Sequence, residues 1–169
     1  MTGGISAFEV REKLGSSFSE YEATLNDFSQ RFLITIWEEA DNLVFSPFGL
    51  HSVLAMLTSG ASDDSKTQRE LLQAFGRHGN IQNIESSYGD IVEQYKILSK
   101  NIFSFGNRFY TTEKHYQLIE YDYLVKITQS YDADIKFFAP SNPEKAINEW
   151  VKEKTNGKID KIIGMQLLL

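Results

Sequence analysis

The chain has 169 residues, 41% of them hydrophobic, 13% aromatic and none cysteine. That is enough for one domain with a sizeable core, and it excludes disulfides, thiol nucleophiles and cysteine metal sites. A net charge of −6 argues against nucleic acid or an anionic membrane as the main partner, because both call for a basic footprint. No apolar run approaches the length of a membrane span and no Asn-x-Ser/Thr sequon occurs. The opening MTGGISAFEVREK lacks the apolar core of a secretory signal, so the protein is expected to be intracellular, or to have lost a signal before this numbering begins.

In chain order, one domain is expected over 1–169, with a segment over 1–18 free to move and an apolar tail over 164–169. Leu25, Phe28, Phe32 and Ile36 recur at helical spacing, widened by Leu33 and Trp37, and predict a first helix from about Glu20 to Glu39. NLVF reads as a short strand. Ser46-Pro47 then opens a second helix, SPFGLHSVLAMLTSG, with Ser46 as N-cap, Pro47 at the first helical position and Gly60 as the stop. It is apolar nearly all round and is expected to be buried all round. Asp63 or Asp64 is the expected cap of a third helix ended by Gly76. Ile81, Ile84, Tyr88, Ile91, Val92 and Tyr95 mark a fourth.

KNIFSFGNRFYTT changes period to two, with Phe103, Phe105, Asn107 and Phe109 on one face of a strand. A helix over about Ile119 to Tyr131 and a second strand, ADIKFF, follow. The last helix is expected to be capped at Ser141 or Asn142, with Ala146, Ile147, Trp150 and Val151 facing inward and Trp150 as anchor. Asn156-Gly157 supplies a left-handed stop. The layout is helix-rich α+β.

Catalytic chemistry finds little support. His51, His78 and His115 are far apart, with no ligand spacing around any of them. His51 falls on the buried helix, where a core histidine donating to a backbone carbonyl is expected; the other two fall in loops. Ser46 already serves as a cap. Glu38-Glu39 and Asp63-Asp64 are adjacent pairs, hence on different faces, and the glycines of GGIS precede no strand–turn–helix. No cofactor, metal or enzymatic activity is expected. Asn107 is harder to place. A buried amide costs free energy unless its donors and acceptor are matched. Two readings stand: a satisfied structural Asn, or a member of a polar network joining the strand to the buried helix.

Taken together, these segments resemble the serpin family of serine-protease inhibitors, from about Ser19 to Ile163. NLVFSPFGLHSVLAMLTSGA resembles the family's strand 6B and helix B, with Asn42, Phe45, Ser46, Pro47, Leu54, Ala55, Met56, Leu57, Gly60 and Ala61 in place. TQRELLQAFG resembles helix C, GNRFY strand 2A, and SYDADIKFF the end of helix E with strand 1A. INEWVKEKTNGKI resembles helix F and its exit.

The resemblance implies the helix-rich N-terminal portion of a fold about twice this length. An intact inhibitory member offers a reactive-centre loop to a protease. The protease cleaves the loop and is trapped as an acyl-enzyme while the loop inserts into sheet A, driven by relaxation of a metastable fold. That loop lies near the family's C-terminus, so this chain is expected to carry no reactive-centre loop and not to trap proteases. Only an intact parent would engage a target protease; a non-inhibitory binding or regulatory role is the alternative. Ser46 and Asn107 match positions in the shutter beneath sheet A, where Gly49 replaces the family's second Ser. Glu85, Asp90 and Glu93 outnumber Lys96 and Lys100 on the helix that binds heparin in some members, so no heparin site is expected. With most of sheet A absent, the chain is expected to form a homo-oligomer, to pair with a complementing fragment or to rearrange. The resemblance points to an extracellular protein, with a cytoplasmic one as the alternative.

Overall fold

The computed structural model describes residues 7–37, 42–76, 80–98, 104–137 and 143–164, with the side chains of 7–20 and 95–98 left undescribed. Helix α1 runs Ala7–Ile36, starting well before Glu20. Val10, Leu14 and Phe18 carry the apolar spacing back from Tyr21, and no proline interrupts it. Glu38 and Glu39 lie outside the described residues. Tyr21, Thr24 and Phe28 bury the inner face of α1.

Leu43–Phe45 forms no strand, contrary to the expectation of an element resembling 6B. A strand needs a neighbouring backbone to satisfy its amides and carbonyls, and none lies beside it among the described residues. Phe45 packs its ring 5.5 Å from that of Phe32, but Val44 is 95% exposed.

Helix α2 spans Pro47–Ser59. Ser46 is extended (φ −104°, ψ 103°), and its Oγ accepts from the Gly49 amide at 3.1 Å. The helix buries His51, Ser52, Ala55, Met56 and Thr58. It is not covered all round: Val53 is 50% and Leu57 52% exposed. Helix α3, Lys66–Phe75, is capped by Ser65 rather than by Asp63 or Asp64. Asp64 instead takes a left-handed turn at φ 56°. At its far end Arg31 Nη2 donates to the Ala74 carbonyl at 2.7 Å, placing a cation where the helix dipole favours one. Helix α4, Ile81–Leu98, buries Ile81, Ile84, Tyr88, Ile91 and Val92 as its spacing predicts.

Strand β1, Asn107–Thr111, and strand β2, Ala133–Phe137, pair in parallel, with Asn107 opposite Ala133 and Thr111 opposite Phe137. Parallel neighbours need a crossover. Here it consists of the short helix α5, Glu113–Tyr116, which the spacing did not predict, and helix α6, Tyr121–Tyr131, which is the helix expected over about Ile119 to Tyr131. Asp132 turns α6 into β2 with φ 50°. Lys100–Phe103 lie outside the described residues, and Ser104–Gly106 stay out of the sheet.

Helix α7 runs Pro143–Lys154; its expected caps, Ser141 and Asn142, lie outside the described residues. It stops at Asn156 (φ 52°) and Gly157 (φ 75°), whose amide donates to the Lys152 carbonyl at 2.8 Å.

The core gathers around α2. Tyr21, Ala55, Met56, Phe75, Ile84, Tyr88, Ile91, Leu124, Ile127, Tyr131 and Ala133 form one cluster drawn from α1, α2, α3, α4, α6 and β2. Around it, Ser59 Oγ donates to Glu85 Oε1 and lies 3.2 Å from the Tyr131 hydroxyl, while Lys126 pairs with Glu85 at 3.3 Å. That polar cluster ties α2, α4 and α6 at one level. Burial holds the Tyr131 phenol well above its usual pKa, so the group is neutral here. Among the described residues no helix is long and apolar enough to cross a membrane.

Candidate functional site

The polar residues of the buried helix and of β1 meet at Asn107. Its Nδ2 donates to the Tyr131 carbonyl at 2.9 Å, at the last residue of α6. Its Oδ1 stands 3.4 Å from Ser52 Oγ on α2. Ser52 directs its proton mainly to the Gly49 carbonyl at 2.8 Å, and the Gly49 amide in turn donates to Ser46 Oγ. A continuous polar path thus runs Ser46–Gly49–Ser52–Asn107–Tyr131 from the exposed cap of α2 into the core. Ser46 and Asn107 do not touch; Gly49 and Ser52 stand between them. A Cβ built on Gly49 would lie 3.3 Å from Ser46 Oγ and would meet no residue other than Ser46 within 4 Å.

Ser52 and Tyr131 carry no motif that marked them beforehand. Ser52 lies one helical turn beyond Gly49 on a mainly apolar helix, and polarity at such a position is the one signal available. Tyr131 enters through its main chain, which no side-chain pattern reveals.

Beside Asn107 lies a cleft of about 270 Å³ lined by Val53, Met56 and Leu57 of α2, by Gly106–Phe109, and by Tyr123 and Trp150. Trp150 is half-buried and lies outside the main core cluster. Its ring stacks under the Arg108 guanidinium, 4.8 Å from the centroid, and a Cβ on Gly106 would come 3.2 Å from its Cζ2. The glycine therefore lets α7 lie close against the chain entering β1. Arg108 also forms an ion pair with Asp134 across the sheet. Trp150 Nε1 and Arg108 Nε are buried with no hydrogen-bond partner among the described residues.

The histidines build no site. His51 is fully buried, with Nδ1 2.8 Å from the Tyr88 hydroxyl, so its partner is a phenol rather than the expected backbone carbonyl. The phenol wins because Tyr88 faces His51 directly across the α2–α4 contact, whereas the carbonyls of α2 are engaged in the helix. Tyr21, Phe28 and Phe75 rings box the imidazole, and burial lowers its pKa to about 4. His115 is exposed on α5, and His78 lies outside the described residues. Among the described residues no cluster could hold a metal ion.

Comparison with known proteins gives this arrangement a family. The model of the family "Serpin (serine protease inhibitor)" matches residues 23–167. Mouse leukocyte elastase inhibitor A is 31% identical over 129 residues, which cover 73% of this chain and 33% of that protein. Ovalbumin of the quail Coturnix coturnix is 32% identical over 139 residues, covering 73% of this chain and 36% of its own. The chain spans about a third of the length of the curated relatives it matches. Among solved structures, the thermophilic serpin tengpin in its latent state superposes with a TM-score of 0.68 at 27% identity, covering 96% of this chain and 41% of that one. A cleaved serpin 42Da gives a TM-score of 0.70 at 17% identity over 91% of this chain and 41% of that one, which bears on the fold alone. The helix-rich architecture with its small parallel sheet is the N-terminal portion of that fold, and the chain belongs to the serpin family.

Proposed function

We propose that the parent activity of this protein is inhibition of serine endopeptidases by suicide trapping, and that residues 1–169 contribute the helical base and the first strands of the sheet that receives the inserting loop. The observation that carries this reading is the cleft beside β1. It is flanked by α2 and α7, and its Asn107 is held by hydrogen bonds to two different elements. A frame that accepts a strand must be fixed before the strand arrives, and bonds to both α2 and α6 fix Asn107. The polar path from Ser46 through Gly49 and Ser52 to Asn107 is the shutter of this reading, and Trp150 is the contact that seats α7. Inhibition consumes no cofactor and requires no catalytic constellation in this chain.

Residues 1–169 on their own trap no protease. Incubation with trypsin-, chymotrypsin- and elastase-like enzymes, followed by denaturing electrophoresis, is expected to give no SDS-stable complex. Such a complex would refute this part of the proposal.

A second reading is favoured by the exposure of Val53 and Leu57 at half their surface on the central helix. Apolar surface of that kind binds protein. In this reading the chain is a non-inhibitory binding or regulatory protein, and recovery of one stoichiometric, identified partner from the source fluid separates the two. Neither reading includes heparin, because α4 exposes Asp90 and Glu93, while Glu85 is engaged by Ser59 and Lys126. An extracellular setting suits both, with the cytoplasm as alternative.

A further inference from the structure

Asn156-Gly157, the stop of α7, is the one Asn-Gly pair in the chain; every other asparagine precedes a residue that carries a side chain. The pair brings its own chemistry. The Gly157 amide nitrogen can attack the Asn156 side-chain carbonyl, because no Cβ on the glycine crowds the approach. The new C–N bond closes a five-membered succinimide. The side-chain nitrogen leaves as ammonia, taking up the proton that the Gly157 amide gives up. Water then opens the ring at one of its two carbonyls, giving aspartate or isoaspartate. Water is the co-reactant, and nothing is oxidised or reduced. Asn156 and Gly157 are exposed, and a Cβ on Gly157 would meet nothing within 4 Å, so water reaches the ring.

The fold restrains the first step. The nitrogen that would attack is engaged: the Gly157 amide donates to the Lys152 carbonyl at 2.8 Å, and the Asn156 amide to the Glu153 carbonyl at 3.1 Å. Both residues are held left-handed, at φ 52° and 75°. Attack therefore waits until the last turn of α7 opens.

The product does not fit the cap. Either acid places a carboxylate at the C-terminus of α7, where the helix dipole disfavours negative charge. Isoaspartate also lengthens the main chain by one methylene within the turn. That turn leads into residues 158–163, which return along α7. The Ile162 and Ile163 amides donate to Asn148 Oδ1 at 2.8 and 3.1 Å, and Asn148 Nδ2 donates to the Ile163 carbonyl at 2.9 Å. Lys152 pairs with Asp160 at 2.7 Å. A longer main chain shifts both sets of contacts out of register.

We propose that Asn156 is a self-modifying site, gated by the opening of α7, whose conversion detaches the return segment 158–163 from the helix. Ring opening does not restore the amide, so the change runs one way and accumulates with the age of the chain. The inference rests on neither reading of function above.

Incubation of the 169-residue chain at neutral pH, beside a synthetic peptide of residues 152–161, tests it. Peptide mapping by mass spectrometry reads loss of the amide, and chromatography separates isoaspartate from aspartate. Asn156 is expected to be the first asparagine to convert. The folded chain should convert about tenfold or more slowly than the peptide. Trp150→Ala, which releases α7, should move the rate towards that of the peptide. In the aged chain, amide exchange at Ile162 and Ile163 should accelerate about tenfold or more. An equally aged Asn156→Gln chain, whose longer side chain closes the ring poorly, should exchange as when fresh. The comparison of chain with peptide needs no variant to fold. A folded chain that converts as fast as the peptide, or another asparagine that converts first, overturns the proposal. So does a Trp150→Ala chain that converts no faster than wild type, or an aged chain that keeps its protection at Ile162 and Ile163.

Discussion

Asn107 donates from Nδ2 to the main-chain carbonyl of Tyr131 at 2.9 Å, across the junction where α6 ends and β1 begins its pairing with β2. One side-chain amide thereby closes the C-terminus of a helix and fixes the first residue of a strand. Asn107 is 8% exposed, so its amide has little recourse to water if the bond is lost. Replacing Asn107 by Ala leaves the Tyr131 carbonyl without this donor and is expected to cost about 1–3 kcal/mol. The urea midpoint of unfolding, followed by far-ultraviolet circular dichroism, checks this. A change under a few tenths of a kcal/mol would mean the bond has no structural weight.

At the other end of the polar path, Ser46→Ala removes the side-chain acceptor of the Gly49 amide and should destabilise by about 1 kcal/mol. Gly49→Ala should act in the opposite direction. Alanine fits a helix better than glycine by about 0.5–1 kcal/mol. The only close neighbour of its new methyl is the exposed Ser46 hydroxyl at 3.3 Å, which can yield by a few tenths of an ångström. Thermal melts of the two variants should therefore shift in opposite senses.

His51 makes stability depend on pH. Its folded pKa, lowered to about 4, lies below the ordinary 6.5, so the neutral ring is the folded form. Well above pH 6.5 neither state binds the proton and the full stability is present. As pH falls towards 4 the unfolded chain takes up the proton and the folded one resists it, so stability drops. The expected loss between pH 7.5 and 4.5 is about 2–3 kcal/mol from this group. His51→Gln should flatten the slope of stability against pH in that window by a comparable amount, whatever its effect at neutral pH. Unchanged slopes would show that the imidazole titrates normally.

Helix α7 is held through a few specific contacts: buried Val151, Trp150 under Arg108, and the Tyr110 hydroxyl donating to the Ala146 carbonyl at 3.2 Å. Trp150→Ala should release it locally. Amide exchange of residues 146–151 is expected to accelerate, while α2 and α4 keep their protection. Arg108→Lys should reproduce part of the effect, because an ammonium neither stacks on the indole as a guanidinium does nor keeps a planar fork to Asp134. Uniform acceleration across the whole chain would place Trp150 in the global core instead.

Much of the fold was legible in the order of residues. The spacing of Ile81, Ile84, Tyr88, Ile91 and Val92 predicted the buried face of α4, because helix geometry places those positions on one side whatever lies opposite. Ser46-Pro47 announced the start of α2, and Asn156-Gly157 the end of α7, because caps are local chemistry. Motif order named the family. What remained closed was everything that depends on a partner from far along the chain. Leu43–Phe45 has the composition of a strand but forms none, since a strand exists only beside another backbone. The apolar face of α2 implied full burial, yet Val53 and Leu57 stay exposed, since cover is a property of neighbours rather than of the helix. His51 had to be neutral and paired, but only the approach of α4 decided that a tyrosine hydroxyl would hold it. Asn107 was suspect as a polar residue on an aromatic face; that its partners are Ser52 and the Tyr131 carbonyl was decided in three dimensions, where hydrogen bonds join residues regardless of their separation in sequence.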